Sequence, residues 1–353
     1  MLGDVQISED DIDTFLASYN AVLPEGQQPL EFDEVRRAAL IEWNDLQACP
    51  GSGKTTLIAA KLMILARKWK PKYQGICVLT HTNVACNEIR SRLEVDADGY
   101  KLLSYPHFIG TIQEFINRYI GLPIARSLGL DLRLLSSDEF EQEFNKIRWG
   151  KFSDRNTAKQ YWFNYYLIRK KIVPATFSLT YGDDGLAVNP VFKEGFDRVI
   201  NFDKGGTVEA FLFKKKQQYL KKGVALYKDM YAFSKFLVSK NSNLLTSLRT
   251  RFPKVLIDEM QDTQKFQDEL INSIFESGNV NVQRFGDPDQ AIFDNMGGEE
   301  PNETFNKNNQ LAILAHSYRF SVDIAQKVSN LSCSQIGEIQ ALAMPDDPLK
   351  HTV

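Results

Sequence analysis

Residues 48–56 read Ala-Cys-Pro-Gly-Ser-Gly-Lys-Thr-Thr, and this run is the one best suited to chemistry. Small residues let successive backbone N–H groups turn into one concavity, where they bind phosphate oxygens at the start of a helix. Pro50, Gly51, Ser52, Gly53, Lys54, Thr55 and Thr56 would form that cradle. The Lys54 ammonium reaches the outer phosphates, and the Thr55 hydroxyl ligates Mg²⁺. Ala48 stands where the usual pattern has its first glycine, a mild steric change.

Three later runs could complete such a site. Val-Leu-Ile-Asp-Glu at 255–259 is an apolar strand ending in two carboxylates. Side chains alternate along a strand, so Asp258 and Glu259 diverge and can take different tasks. Asp258 would hold the hydration shell of Mg²⁺, and Glu259 would polarise an attacking water. By itself an apolar strand followed by two acids is common; a phosphate loop upstream makes it specific. Gly-Asp-Pro-Asp-Gln at 286–290 contains turn formers, but the neutral amide of Gln290 could sense a terminal phosphate by hydrogen bonding. Ser-Tyr-Arg at 317–319 places Arg319 after another strand, where its charge could stabilise a transferred phosphoryl group.

The elements that must position these residues alternate between helix and strand. The pattern predicts helices over Phe32 to Glu42, Thr55 to Lys68, Asn83 to Leu93, Phe266 to Phe275 and Val322 to Leu331. It predicts strands over Gly75 to Thr80, His107 to Gly110, Lys254 to Ile257, Val280 to Phe285 and Gln310 to Leu314, with a short strand before the phosphate loop. Ser8 and Asp11 fit a capping box on an acidic N-terminal helix. Between about 115 and 250 the alternation stops; that stretch reads as helical, with VPATF, YGDDGLAVNP and DKGG as irregular connections. The simplest architecture is one parallel α/β domain interrupted by a mostly helical insertion.

Composition narrows the class. The 353 residues carry 42 Lys+Arg and 45 Asp+Glu, with 43% hydrophobic residues, an ordinary globular make-up. Length predicts about two domains. No apolar run is long enough to span a bilayer, and Lys61 interrupts the longest. An acidic N-terminus does not read as a signal peptide. Four scattered cysteines, Cys49, Cys77, Cys86 and Cys333, read as reduced thiols of a cytoplasmic protein. The net charge of −3 hides a division. Residues 146–254 hold 22 basic and 8 acidic residues and 20 of the 40 aromatics. Lysine runs such as Lys214-Lys215-Lys216, interleaved with aromatics such as Trp149 and Tyr161, suit a nucleic-acid strand. They equally suit a solvated face over a core stripe.

The runs CPGSGKTT, LTHTNVACNEIRSRL, GTIQEF, VLIDEMQDTQKFQ, FGDPDQAIF and SYRF occur in this order. Together they resemble the UvrD/Rep/PcrA group of superfamily 1 helicases. The resemblance implies a RecA-like domain 1A over 31–114 and 251–320, interrupted by a helical, basic domain 1B over 115–250. Residues 1–30, an acidic helix and loop, would precede it, and 321–353 would begin a second lobe or form a C-terminal tail. It implies ATP and Mg²⁺ as ligands, single-stranded DNA as partner and 3′→5′ translocation. Lys54, Thr55, Asp258, Glu259, Gln290 and Arg319 match the family's catalytic positions. His81, Thr82, Asn83, Thr111 and Phe293 match positions that touch DNA. There are departures: His81 replaces a phenylalanine, Gln113 a histidine and Asn295 a base-stacking tryptophan. The upstream adenine-reading glutamine is not evident, and Glu34 or Arg36 stands near its place. The chain is also similar, more loosely, to short UvrD-like anti-phage proteins such as those of Gabija systems, which implies a nuclease or other protein partner. Two functions stay open: a DNA-dependent ATPase and helicase, or an ATP-binding DNA sensor within an assembly.

Overall fold

The computed structural model describes residues 5–26, 28–148, 172–182, 185–192, 216–276, 279–290, 311–331, 336 and 338–342. Two compact units divide the chain, one of residues 1–112 with 245–353 and the other of residues 113–244.

In chain order the strands are β1 (Asp45–Ala48), β2 (Ile76–Thr80), β3 (Phe108–Thr111), β4 (Arg133–Leu135), β5 (Ile172–Gly182), β6 (Gly185–Phe192), β7 (Val224–Leu226), β8 (Lys254–Ile257), β9 (Asn281–Gly286), β10 (Leu311–Leu314), β11 (His316–Ser317) and β12 (Gln340–Ala341). The first unit is built on a six-stranded sheet in the order β10-β1-β9-β8-β2-β3. Every pairing in it is parallel. Strands β1, β2 and β8 are buried along their whole length, which explains the apolar runs of β2 and β8; in β1, Asp45 and Gln47 are buried polar residues. All six chains therefore leave the sheet at the same edge, where ligands of open α/β sheets bind.

Helix α1 (Glu9–Asn20) starts at the expected capping box, with the Asp11 carboxylate accepting from both the N–H and the hydroxyl of Ser8 at 2.7 Å. Helix α2 (Glu34–Ile41) is capped by Asp33, which accepts the Arg36 N–H at 2.8 Å. Helix α3 (Lys54–Lys68) is buried from Leu57 to Ala66, so its apolar residues surround it and do not form a single stripe. Each fully buried Leu or Ile there stabilises the fold by about 1.5–3 kcal/mol. Lys61 lies inside this run and is 1% exposed. Its ammonium donates to the carbonyls of Ala39 (2.9 Å) and Glu42 (2.5 Å) and to Gln283 Oε1 (2.6 Å), and it sits 4.2 Å from the centre of the Trp43 ring. Three acceptors for three protons make a buried lysine tolerable. Helix α4 (Asn83–Glu94) follows β2.

The second unit contains strands that the sequence reading did not find. Of the segments read as irregular connections, DKGG lies outside the described residues, while VPATF and YGDDGLAVNP fall in the antiparallel hairpin β5–β6. Its register shifts between Ile172 and Phe177, and Pro174 falls in that interval. A bulge is where a strand tolerates a proline, and the proline hid the period-two pattern. Strands β4 and β7 pair in parallel. The Lys216 ammonium bonds Asp229 at 2.6 Å, with both side chains fully buried. Asp229 also accepts the N–H groups of Leu179 and Leu226, each at 2.8 Å. Lys216 is therefore a fixed core group, not part of a solvated lysine run. Trp149, Tyr161, Lys214 and Lys215 lie outside the described residues.

Cys49, Cys77 and Cys86 are buried free thiols. Among the described residues no helix is long and apolar enough to cross a membrane.

Candidate nucleotide-binding site

The phosphate loop turns on two glycines with positive φ, Gly51 at +74° and Gly53 at +86°. These angles suit glycine because a Cβ would strain the backbone. Gly53 caps α3, and the Leu57 N–H returns to its carbonyl at 2.9 Å. The loop is laced to the chain after β10. Cys49 N–H donates to the Leu314 carbonyl (3.0 Å), the Ser317 hydroxyl to the Pro50 carbonyl (2.7 Å) and Tyr318 N–H to the Gly51 carbonyl (2.9 Å). A Cβ added at Gly51 would lie 2.4 Å from the Cβ of Arg319. Arg319 thus stands directly against the loop.

Arg36 supports the loop from the other side. It is 3% exposed, pairs with Asp33 and donates to the Ser52 carbonyl at 2.8 Å. Its guanidinium lies 5.3 Å from the centre of the Tyr318 ring. The sequence placed Arg36 only near a base-reading position; here it is a brace for the phosphate loop. A buried arginine at a helix start carries no sequence signature that would show this.

The carboxylates stand at neighbouring strand ends. Asp258 follows β8, is almost wholly buried and donates its N–H to the Leu79 carbonyl at 2.8 Å. Burial, then the charge of Glu259, raises its pKa to about 7, while Lys54 pulls it down. Glu259 adopts a left-handed backbone, φ 53° and ψ 48°. Its Oε2 lies 3.3 Å from Lys54 Nζ and accepts from Gln261 Nε2 at 2.5 Å. Asp287, after β9, is fully buried and donates its N–H to Gln261 Oε1 at 2.9 Å. Its Oδ1 accepts the Asp289 N–H at 3.1 Å, and Oδ2 has no partner. Burial raises its pKa to about 6, opposed by Lys54. Gln290 has an exposed side chain and donates its N–H to the Asp287 carbonyl at 3.0 Å. Asp287 and Gln261 went unremarked in the sequence because each sits inside a run already explained by a neighbour. Thr56 accepts a hydrogen bond from Arg92 at 3.0 Å.

These groups fit Mg²⁺. Asp258 and Asp287 are buried carboxylates held part-way to neutrality, and one Asp287 oxygen is unused. A divalent cation would supply the missing positive charge. Among the described residues no cluster of three ligating side chains occurs. Mg²⁺ commonly keeps its waters and binds one or two carboxylates together with phosphates.

The positions matched to DNA contact also lie at the carboxyl edge. His81 and Thr82 follow β2, and Thr111 ends β3, paired in register with Thr80. Thr82 caps α4 by accepting the Ala85 N–H at 3.2 Å, and Asn83 is exposed. His81 is half-buried; burial lowers its pKa, opposed by Asp262 and Glu259. Phe293 lies outside the described residues.

A parallel sheet with a phosphate loop and acidic strand ends defines a RecA-like nucleotide-binding fold. The UvrD/REP helicase N-terminal domain family matches residues 42–310, and the chain belongs to that family. The "ATP-dependent DNA helicase Rep" of Buchnera aphidicola subsp. Acyrthosiphon pisum is 25% identical over 295 residues, 81% of this chain and 42% of that protein. The "Probable DNA helicase II homolog" of Mycoplasma genitalium is 25% identical over 246 residues, 69% of this chain and 33% of that protein. The "RecBCD enzyme subunit RecB" of Chlamydia trachomatis is 29% identical over 154 residues, 41% of this chain and 15% of that protein. The chain thus spans less than half the length of each of these curated relatives.

Proposed function

We propose that this chain is the nucleotide-binding lobe of a cytoplasmic, ATP-dependent DNA helicase or translocase that moves 3′→5′ on single-stranded DNA. The observation that carries the reading is the Lys54–Glu259 contact at 3.3 Å behind a phosphate loop. It puts a phosphate-binding cation and a base for water in one place.

Pro50 to Thr56 wrap the phosphates, and Lys54 neutralises the outer ones. Thr55 and Asp258 would hold Mg²⁺, which offsets phosphate charge when bound. Glu259 accepts the proton of the attacking water. Gln290 hydrogen-bonds the γ-phosphate, and Arg319 stabilises charge as the phosphoryl group transfers. His81, Thr82, Asn83, Thr111 and Phe293 form the DNA track of domain 1A (31–114 and 251–320), with domain 1B (115–250) contributing basic surface. Residues 321–353 would be the start of a second lobe or a tail.

A second reading is a DNA-sensing subunit that works with a nuclease or other partner. The likeness to a protein named as a RecBCD enzyme subunit bears only on membership of an assembly, and the family match favours the first reading. Glu259→Gln tests the first reading. Nucleotide affinity should stay within about 2-fold while hydrolysis falls by ~10²-fold or more. Lys54→Ala should instead weaken nucleotide binding itself. Full turnover in the Glu259→Gln protein would sink the assignment of the base.

A further inference from the structure

Gln261 spans the distance between two parts of the site with one amide. Its Nε2 donates to Glu259 Oε2 at 2.5 Å, and its Oε1 accepts the Asp287 N–H at 2.9 Å. The amide orientation follows from chemistry. A backbone N–H can only donate and an ionised carboxylate can only accept, so the oxygen must face Asp287 and the nitrogen Glu259. Both capacities of the side chain are thus committed, one to each side of the site.

Glu259 has two oxygens with different fates. Oε2 is held by Gln261 and Lys54. Oε1 has no hydrogen-bond partner among the described residues, and the side chain is 31% exposed. That oxygen is the one left to take a proton from water. The hold on Oε2 changes once phosphates arrive, because Lys54 turns its charge toward them. Gln261 is then the remaining donor on Oε2. Its other end is tied to the residue that begins the turn carrying Gln290, since Gln290 N–H donates to the Asp287 carbonyl at 3.0 Å.

We propose that Gln261 is a positioning residue: it aims Glu259 Oε1 at the attacking water and ties that aim to the Asp287–Gln290 turn at the end of β9. The proposal rests on the hydrolytic reading above. Its two side-chain hydrogen bonds go to Glu259 and to the Asp287 N–H, so it acts through Glu259. A carboxylate free to rotate would spend less time in the reactive geometry, and small misplacements of a reacting group cost up to ~10²-fold in rate.

Two variants separate the two arms. Gln261→Met keeps the length and loses both bonds. Gln261→Glu keeps an acceptor for Asp287 N–H but replaces the donor to Glu259 with a like charge. In the full chain, with Mg²⁺, saturating oligo(dT) and ATP, kcat should fall about 10- to 100-fold in both variants. KM and the Kd of a non-hydrolysable ATP analogue should stay within about 2-fold, and Tm should be preserved. Gln261→Glu matching the wild-type kcat would show that only the Asp287 arm matters and would overturn the proposal. So would a Gln261→Met protein with unchanged kcat, or a loss of kcat matched by equal losses of affinity and Tm. Failure of the underlying reading looks different. A wild-type chain that binds the analogue but never hydrolyses ATP removes that reading, and this inference falls with it.

Discussion

Gly51 concentrates several constraints at one Cα. Its φ is +74°, and the atom that any other residue would add meets Arg319 at 2.4 Å and Ser317 Oγ at 3.0 Å. Gly51→Ala should therefore push the Ser317–Arg319 turn off the phosphate loop. We expect a loss of roughly 1–3 kcal/mol in urea unfolding, with weaker binding of an ATP analogue. Unchanged stability would mean that the turn moves aside freely. At this scale the sequence was informative where a residue type has one use in one context. Lys54 and Glu259 could be singled out as neighbours because a phosphate loop and a strand ending in two acids constrain each other, and the structure brings them to 3.3 Å. Asp287, Gln261 and Arg36 could not. Aspartate after glycine looks like a turn, and an arginine or glutamine shows its partners only when distant segments meet. Lys216 misled for the same reason: only the fold brings Asp229 to it.

Elements were legible when their burial was uniform. Strands β2 and β8 have both faces covered, so a short apolar run announced them. The β5–β6 hairpin was missed because Pro174 and Pro190 interrupt its alternation. One element carries a pH dependence. His107 Nδ1 accepts the N–H of Ile76, the first residue of β2, at 3.0 Å. Burial lowers its pKa from 6.5 to about 4. The unfolded chain therefore takes up a proton near pH 6.5, but the folded chain does so only near 4. Between those values the unfolded state holds more protons, so stability is full above about 6.5 and declines as pH falls toward 4. The expected contribution is on the order of 2–3 kcal/mol. Denaturant unfolding at pH 7, 6, 5 and 4 should show it, and His107→Asn should flatten that part of the slope. An identical slope in the variant would assign the effect to other groups.

Across the whole molecule, a net charge of −3 is the sum of unlike regions, since residues 146–254 are +14 and the remainder is −17. A strand of DNA would meet the basic region by releasing counterions. Stimulation of ATP hydrolysis by oligo(dT) should therefore weaken steeply with salt, by roughly 300-fold in single-strand affinity between 50 and 200 mM for six phosphate contacts. Salt-independent stimulation would remove phosphate contact from the account. The first unit also carries its own optical reporter. The Trp69 indole packs edge-on against His107, with ring centres 5.7 Å apart, and donates to the Gln74 carbonyl at 2.9 Å. A protonated imidazole quenches indole emission on contact, whereas a neutral one does so far less. Folded molecules take up the His107 proton only near pH 4, so Trp69 emission, read with the other three tryptophans replaced, should dim there in the fraction that is still folded, after the loss of stability has begun.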